Sequence, residues 1–198
     1  MAVTGFAREY CERLSMNVWE ELRKTDPEFA DFFRNFAFDE VVNEDDLDEH
    51  TRMMAMLAAL LGCQGKEIYE EMLPAALRAG VTPVEIKEIV YQATAYLGIG
   101  RVYPFFRITN QVLEAEKVAL PLEEQGTTGI EDRVEKGEQA QVDIFGEGMK
   151  GFAASGPEES RHINRWLSGN CFGDYYTRTG LNYQQREMIT FCFLAAQG

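Results

Sequence analysis

The sequence predicts an all-α fold, and three observations support this prediction. The run 53–61 is apolar throughout and contains no β-branched residue, which favours a buried helix over a strand. Thr82, Pro83 and Glu85 form the pattern of a helix start, with a capping residue, a proline at the first helical position and an acid three residues after the cap. No segment shows a convincing strand-like alternation of apolar and polar residues. We therefore predict a helical bundle.

The starts and stops of helices can be read along the first half of the chain. Thr4 is placed to cap a first helix that runs to about Lys24. The sequence 26–28 then opens a short, phenylalanine-rich helix with an acceptor, a proline and an acid. The acidic run 43–46 is expected to be a linker into the buried helix, which ends at Gly62. Further helices are predicted at about 66–79, 83–97 and 103–117.

The second half of the chain is also predicted to be helical. Residues 118–130 combine proline, glycine and threonine, which is typical of a linker. A long helix is predicted around 131–154, and another is opened by the Gly-Pro-Glu-Glu sequence at 156–159. From Leu181 the chain again shows a helix start followed by an apolar helix.

The two halves of the chain share a weak internal repeat. Two segments align without gaps at an offset of 134 positions, the separation between Arg52 and Arg186. The matching pairs are Phe38 with Phe172, Leu47 with Leu181, Arg52 with Arg186, Met54 with Met188 and Leu60 with Leu194. Each segment has an arginine five positions after a leucine, followed by an apolar helix. We therefore predict two related helical units.

The predicted units cover residues 1–117 and 131–198, with 118–130 as the linker between them. The second unit stops at Gly198, in the middle of the pattern that the first unit continues. We expect it to be incomplete or degenerate. Because half a unit exposes an apolar face, we also expect a neighbouring subunit to cover that face.

Composition limits the classes of partner and site. The chain of 198 residues carries a formal net charge of −14, which disfavours binding to nucleic acid or to an anionic membrane surface. No apolar run is long enough for a transmembrane helix, so we expect a cytoplasmic protein. The four cysteines are expected to be free thiols, and the distance in sequence between His50 and His162 gives no sign of a metal site.

The segments 47–52, 75–86, 91–98 and 181–191 share a recognisable pattern of helix starts and apolar helices. They resemble the carboxymuconolactone decarboxylase family, whose fold is that of alkylhydroperoxidase D. The similarity covers residues 47–117 well and residues 166–198 in part. The resemblance implies an all-helical protein that assembles into rings of three or six chains.

Two chemistries follow from this resemblance. The decarboxylases of the family remove CO₂ from a lactone acid without a metal or an organic cofactor. The peroxidase branch resembles alkylhydroperoxidase D and uses a Cys-x-x-Cys pair, a histidine and a glutamate. Carried over by position, the glutamate is Glu187, whereas the first unit has Met53 there. The first cysteine is Cys63, but Lys66 stands in place of the second.

The candidate catalytic residues are therefore Glu187 and Cys63. Glu187 either complements the helix N-terminus and Arg186, or acts as a half-buried carboxylate that moves protons near neutral pH. Cys63 follows a helix end, so it is either inert or activated by another group. We expect Cys192 to be a core residue, and Cys171 has no base near it in sequence.

Candidate substrate-binding residues surround the glycine break after Leu97. Tyr91, Tyr96, Arg101 and Arg107 combine aromatic rings with cations in an acidic protein. Such a set could bind a small carboxylate. The alternative is that the arginines pair with acids at a subunit contact.

Three functions remain open at this level. The first is a cofactor-free acid–base enzyme for a small organic acid or lactone, with Glu187 as proton carrier and Arg101 or Arg107 as carboxylate anchor. The second is a thiol peroxidase that uses Cys63 or a cysteine beyond Gly198. The third is a catalytically silent, oligomeric binding protein. The expected partners are a small-molecule substrate and further copies of the chain, as a trimer or hexamer.

Overall fold

A computed structural model describes residues 2–16, 18–44 and 46–198. The third residue of the acidic run 43–46 therefore lies outside the described residues. Within these ranges the chain is all-α and has no strand. Its helices are α1 (Gly5–Arg13), α2 (Val18–Thr25), α3 (Pro27–Asn35), α4 (Val41–Glu44), α5 (Glu49–Gly62), α6 (Lys66–Arg78), α7 (Pro83–Leu97), α8 (Ile99–Ala115), α9 (Arg133–Phe145), α10 (Arg161–Trp166) and α11 (Tyr183–Gln197).

Local capping explains where the main helices begin. The backbone N–H of Glu85 donates to the Thr82 hydroxyl over 3.2 Å, and the Glu85 carboxylate accepts from the Thr82 N–H over 2.7 Å. This capping box at the start of α7 confirms the predicted one. An equivalent box joins Asn182 and Gln185 at the start of α11. Asp48 caps α5 by accepting from the Thr51 N–H over 2.9 Å.

Two predicted helices are shorter than expected. The helix that begins at the Thr4 cap ends at Arg13, because the backbone turns at Ser15, which has a positive φ of 53°. The helix predicted around 131–154 ends at Phe145. Gly146, with a φ of 94°, breaks it, and two short 3₁₀ turns follow at Glu147–Met149 and Phe152–Ala154.

Helix α5 lies at the centre of the main core. Its side chains Met53, Leu57 and Leu61 are at most 1% exposed and pack among residues of α6, α7 and α8. Side chains from the end of the chain, Ile189 and Phe193 of α11, belong to the same core. The C-terminal helix is thus an integral part of this core, and its burial contributes to the stability of the whole.

Helices α5 and α11 pack side by side and run parallel. The Gln185 side chain reaches the Met54 sulfur at 3.9 Å, and eight residues further on a Cβ placed on Gly62 would lie 2.5 Å from the Phe193 carbonyl oxygen. The two contacts are eight residues apart on both helices, which shows that the helices run in the same direction. Glycine at position 62 allows the two backbones to approach this closely.

The two proposed units share local features beyond the matched sequence. A π-helical stretch precedes each buried helix, at Phe36–Glu40 and at Leu167–Tyr176. Arg52 donates to the carbonyl oxygens of Val42 and Leu47, and Arg186 donates to that of Arg178. Each arginine thus ties its helix to the segment before it. The repeat and the unit boundaries stay predictions.

A second, smaller core joins α9 to the π-helical stretch Leu167–Tyr176. It is formed by Ala140, Cys171, Phe172 and Tyr176. Backbone approaches backbone here, because a Cβ on Gly137 would lie 1.8 Å from the Ser168 carbonyl oxygen. This contact holds the π-helical stretch, and with it Cys171 and Tyr176, in place.

Among the helices in the described ranges, none is both long enough and apolar enough to cross a membrane.

We predict that Gly137→Ala lowers the free energy of unfolding by about 3 kcal/mol, because the added methyl group overlaps the Ser168 carbonyl. The intrinsic preference of a helix for alanine over glycine, about 1 kcal/mol, acts in the opposite direction. Urea unfolding followed by circular dichroism measures the difference. Gly100→Ala is the control, because a Cβ there meets no atom within 4 Å. If both variants are as stable as the unmodified protein, the close contact is not present.

Candidate functional site

Glu187 lies near the N-terminus of α11, beside the smaller core. Its side chain is partly buried, and its Oε1 atom is buried without a hydrogen-bond partner among the described residues. The Tyr176 hydroxyl and the Cys171 thiol are close enough for the Glu187 carboxylate to raise the pKa of both groups. A carboxylate oxygen with an unused lone pair is therefore held next to hydroxyl and thiol groups.

Two tyrosines form the wall of this site. The Tyr96 and Tyr176 hydroxyl oxygens are 2.9 Å apart, and the Cys171 thiol donates to the Tyr96 oxygen over 3.6 Å. The Tyr176 hydroxyl is also 3.2 Å from that of Thr190. Residues from α7, from the π-helical stretch and from α11 thus meet at one point.

Burial keeps the two phenols and the Cys171 thiol protonated. It is the largest cause of the strongly raised pKa of Tyr96, to which the nearby Cys171 adds. Burial likewise raises the pKa of Tyr176 and that of the Cys171 thiol. At neutral pH both phenols and this thiol are protonated, so they can donate hydrogen bonds but are not nucleophiles.

A buried polar chain continues from the tyrosines to α7. The Gln92 amide donates to the Thr190 hydroxyl over 2.8 Å and to the Arg186 carbonyl oxygen over 2.9 Å. The Arg186 guanidinium donates back to the Gln92 amide oxygen over 2.9 Å. Gln92 and Arg186 are fully buried, and these mutual bonds replace those that water would otherwise provide.

The chain ends at a carboxylate shared by two arginines. The Arg186 guanidinium contacts Glu88 at 3.0 Å, and the Nε of Arg178 contacts the same carboxylate at 2.8 Å. Glu88 is 1% exposed and Arg186 is 0% exposed. Burial lowers the pKa of Arg186, and the Glu88 carboxylate opposes that shift. This pair fixes α11 against α7. Its arginine, Arg186, directly precedes Glu187 in the chain.

The structure brings together only part of the predicted substrate-binding set. Tyr96 is part of the site at Glu187. Tyr91 lies on another face of α7, where it stacks on Phe106 with ring centroids 5.7 Å apart. Arg101 and Arg107 are exposed on α8.

Cys63 lies apart from Glu187. It is exposed at the C-terminus of α5, where its thiol donates to the Leu60 carbonyl over 3.7 Å. Its neighbour Gly62 lies level with Phe193, six residues beyond Glu187. At a rise of about 1.5 Å per residue, the cysteine is displaced by about 10 Å along the helix axis.

Sequence reasoning missed Tyr176, Cys171, Gln92 and Glu88. A signal for two of them exists, because Glu88 and Gln92 are polar residues four apart on α7, next to the buried Ile89. Polar side chains at core positions are expected to be bonded to one another or to a ligand. Tyr176 and Cys171 carry no such signal, since their partners are distant in sequence.

This arrangement can support proton transfer. A carboxylate can accept or deliver a proton, and neutral phenols can donate hydrogen bonds to a developing oxyanion. Within the described part of the chain, no three His, Cys, Asp or Glu side chains converge closely enough to hold a metal ion.

These features define a helical-bundle protein with a carboxylate and two phenols at the junction of α7 and α11. Residues 27–111 match the model of the carboxymuconolactone decarboxylase family, the family that the sequence resembles. It is similar to the 4-carboxymuconolactone decarboxylase of Acinetobacter baylyi, with 31% identity over 80 residues. The match covers 40% of this chain and 60% of that protein. Tyr96 lies in the matched segment and Glu187 lies outside it.

We predict that Glu88→Gln lowers the free energy of unfolding by about 3 kcal/mol or more, because it leaves the buried Arg186 guanidinium without its counter-charge. Urea unfolding at neutral pH measures this loss. The matched control is Glu70→Gln on the exposed side of α6, which should change stability by less than about 0.5 kcal/mol. Equal effects of the two variants would contradict the structural role of Glu88.

We further predict that alkaline pH destabilises the protein through Tyr96 and Tyr176. Because the pKa of each is raised on folding, their contribution is complete below about pH 10 and is lost as pH rises from there towards the folded-state pKa. The free energy of unfolding should fall by up to about 1.4 kcal/mol per pH unit for each tyrosine.

Unfolding by urea at several pH values above about 10 measures this slope. Tyr96→Phe should reduce the slope, even if it lowers stability at neutral pH. Tyr103→Phe, which removes a hydroxyl from an exposed side chain, should leave the slope unchanged. An unchanged slope in Tyr96→Phe would show that the pKa of this phenol is not raised in the folded protein.

Proposed function

We propose that the protein is a cofactor-free acid–base enzyme that acts on a small organic acid or lactone, with Glu187 as the proton carrier. The observation that carries this proposal is the buried, unpartnered Oε1 of Glu187 beside the neutral Tyr176–Tyr96 pair. A buried carboxylate oxygen without a hydrogen bond is costly for folding. A substrate proton is a suitable partner for it.

The chemistry of decarboxylation assigns a role to each group. When the bond to the leaving carboxylate breaks, its electron pair moves into a neighbouring carbonyl and forms an enolate. The two phenols share one hydrogen bond between them, so one of their hydroxyl protons stays available to donate to that oxygen. The protonated Glu187 then delivers a proton to the carbon, and water restores the proton to the carboxylate. CO₂ and a protonated product result, and no oxidant is consumed.

The carboxylate of the substrate also needs a cationic anchor. Arg101 or Arg107 remains our proposal for it. Both are exposed on α8, and Arg101 follows Tyr96 by five residues across the turn at Gly98. Their side chains are therefore accessible to an incoming anion.

Self-association is part of the proposal. Large apolar side chains are exposed on α11 beyond Glu187, with Phe191 at 72% and Leu194 at 52% exposure. Trp166, on α10, is 64% exposed. Such side chains are typical of a surface that another chain covers. We propose a homo-oligomer, as the family resemblance implies.

We predict that Glu187→Gln lowers kcat/KM at least about 100-fold, because glutamine keeps the shape of the side chain but cannot carry the proton. The first substrate to test is 4-carboxymuconolactone, after the name of the similar decarboxylase. Loss of the lactone and release of CO₂ are followed together. Glu158→Gln, an exposed acid in the turn before α10, is the control and should retain activity.

The same preparations separate the alternatives. If Glu187→Gln turns over the lactone acids as fast as the unmodified protein, the assignment of Glu187 is wrong. A thiol peroxidase would instead lose free thiols when peroxide is added, and Cys63, the exposed cysteine, would be the first to react. A silent binding protein would show neither activity.

A further inference from the structure

A groove of about 620 Å³ lies beside the buried ion pair, with Glu88 and Arg178 in its lining. It is bounded by one face of α7, by α8 and by the extended segment 120–126. Val84, Lys87, Glu88 and Tyr91 recur at helical spacing along its α7 wall. Its size is that of a small-molecule binding site.

Two cationic side chains, Arg178 and Lys87, line the groove beside Glu88. Glu88 pairs with the guanidinium groups of both Arg178 and the buried Arg186, so its single negative charge is shared by two cations. Lys87 adds a partly buried ammonium, which donates to the Asn110 amide oxygen. Because burial lowers the pKa of Lys87, a nearby anion would stabilise its charged form.

Arg178 has hydrogen-bond donors to spare. Its Nε makes both contacts with Glu88, at 2.8 and 3.0 Å. The two terminal nitrogens of its guanidinium have no acceptor among the residues that the structure describes. The side chain is 21% exposed, and its guanidinium lies 5.1 Å from the centre of the Tyr91 ring. The planar fork of these terminal nitrogens matches the geometry of a carboxylate.

The walls favour an anion with an apolar body. The Tyr91 ring, held by its stacking on Phe106, offers an aromatic surface beside the arginine, and the segment 120–122 adds leucine and proline side chains. The rim carries the exposed acids Glu114, Glu123 and Glu124. Their charges disfavour a second carboxylate that points outward.

We propose that this groove binds a small organic monocarboxylate, with the carboxylate on Arg178 and Lys87 and the apolar body against Tyr91. The site shares no residue with the proposed proton-transfer site at Glu187, and its existence does not depend on the activity of that site. It does touch the same framework, because Arg186 donates to the Arg178 carbonyl oxygen over 2.9 Å.

Titration calorimetry with benzoate tests this proposal, and benzyl alcohol serves as a neutral molecule of similar shape. The dissociation constant for benzoate should be about 1 mM or tighter. Benzyl alcohol should bind at least about tenfold more weakly, because it cannot form the charged pair with the arginine. Equal binding of the two compounds, or no binding of benzoate at about 10 mM, would overturn the proposal.

Variants locate the bound anion. Arg178→Gln should weaken benzoate binding about tenfold or more, and Lys87→Met about threefold or more. Since Arg178 also pairs with Glu88, Lys87→Met provides the test if Arg178→Gln does not fold.

Arg165→Gln, on the exposed surface of α10, removes the same charge outside the groove and should bind benzoate normally. If Lys87→Met binds benzoate as tightly as the unmodified protein, or if Arg165→Gln weakens binding equally, the groove is not the site. In Glu187→Gln, benzoate binding should persist even if all turnover is lost.

Discussion

The buried ion pair of Arg186 and Glu88 determines how helix α11 packs against α7. Both side chains are removed from water, so α11 can lie on α7 only in the position where guanidinium and carboxylate meet. Gln92 adds reciprocal hydrogen bonds one turn further along α7. Glu187 follows Arg186 directly, and the same position places its carboxylate beside Tyr176. A structural ion pair thereby positions the neighbouring residue that we propose as the proton carrier.

The proposed repeat allows the site around Glu187 to be compared with the equivalent place in the first half of the chain. At the offset of 134 positions, the polar residues around Glu187 correspond to apolar residues in the first half of the chain. The corresponding pairs are Ala37 with Cys171, Val42 with Tyr176, Met53 with Glu187 and Met56 with Thr190. The equivalent place in the first half is accordingly a groove lined by phenylalanine, methionine and leucine side chains. If the two units share an origin, they have diverged at this place, which is polar in the second unit and apolar in the first.

The helices were largely predictable because their signals are local. The capping pattern at Thr82 and the apolar run 53–61 act within one or two turns, and both predictions are confirmed. The breaks at Ser15 and Gly146 were missed, because apolar spacing continues across them. The site was predictable at Glu187, through the family resemblance, and at Tyr96, through its place beside the glycine break. Tyr96 and Tyr176 are 80 residues apart, and only the packing of α7 against the second half of the chain brings their hydroxyls together.

The extended segment between α8 and α9 connects two parts of the chain, one before it and one after it, that are also joined by direct contacts. The α5–α11 contact, the Arg186–Glu88 pair and the Tyr96–Tyr176 bond all cross from one part to the other without using this connection. Hydrolysis of a single peptide bond within 118–130 would turn these intramolecular contacts into an interface between two fragments. The fragments would then reassociate by mass action, and the carboxylate and its phenols would come together only at concentrations above the dissociation constant of that fragment pair.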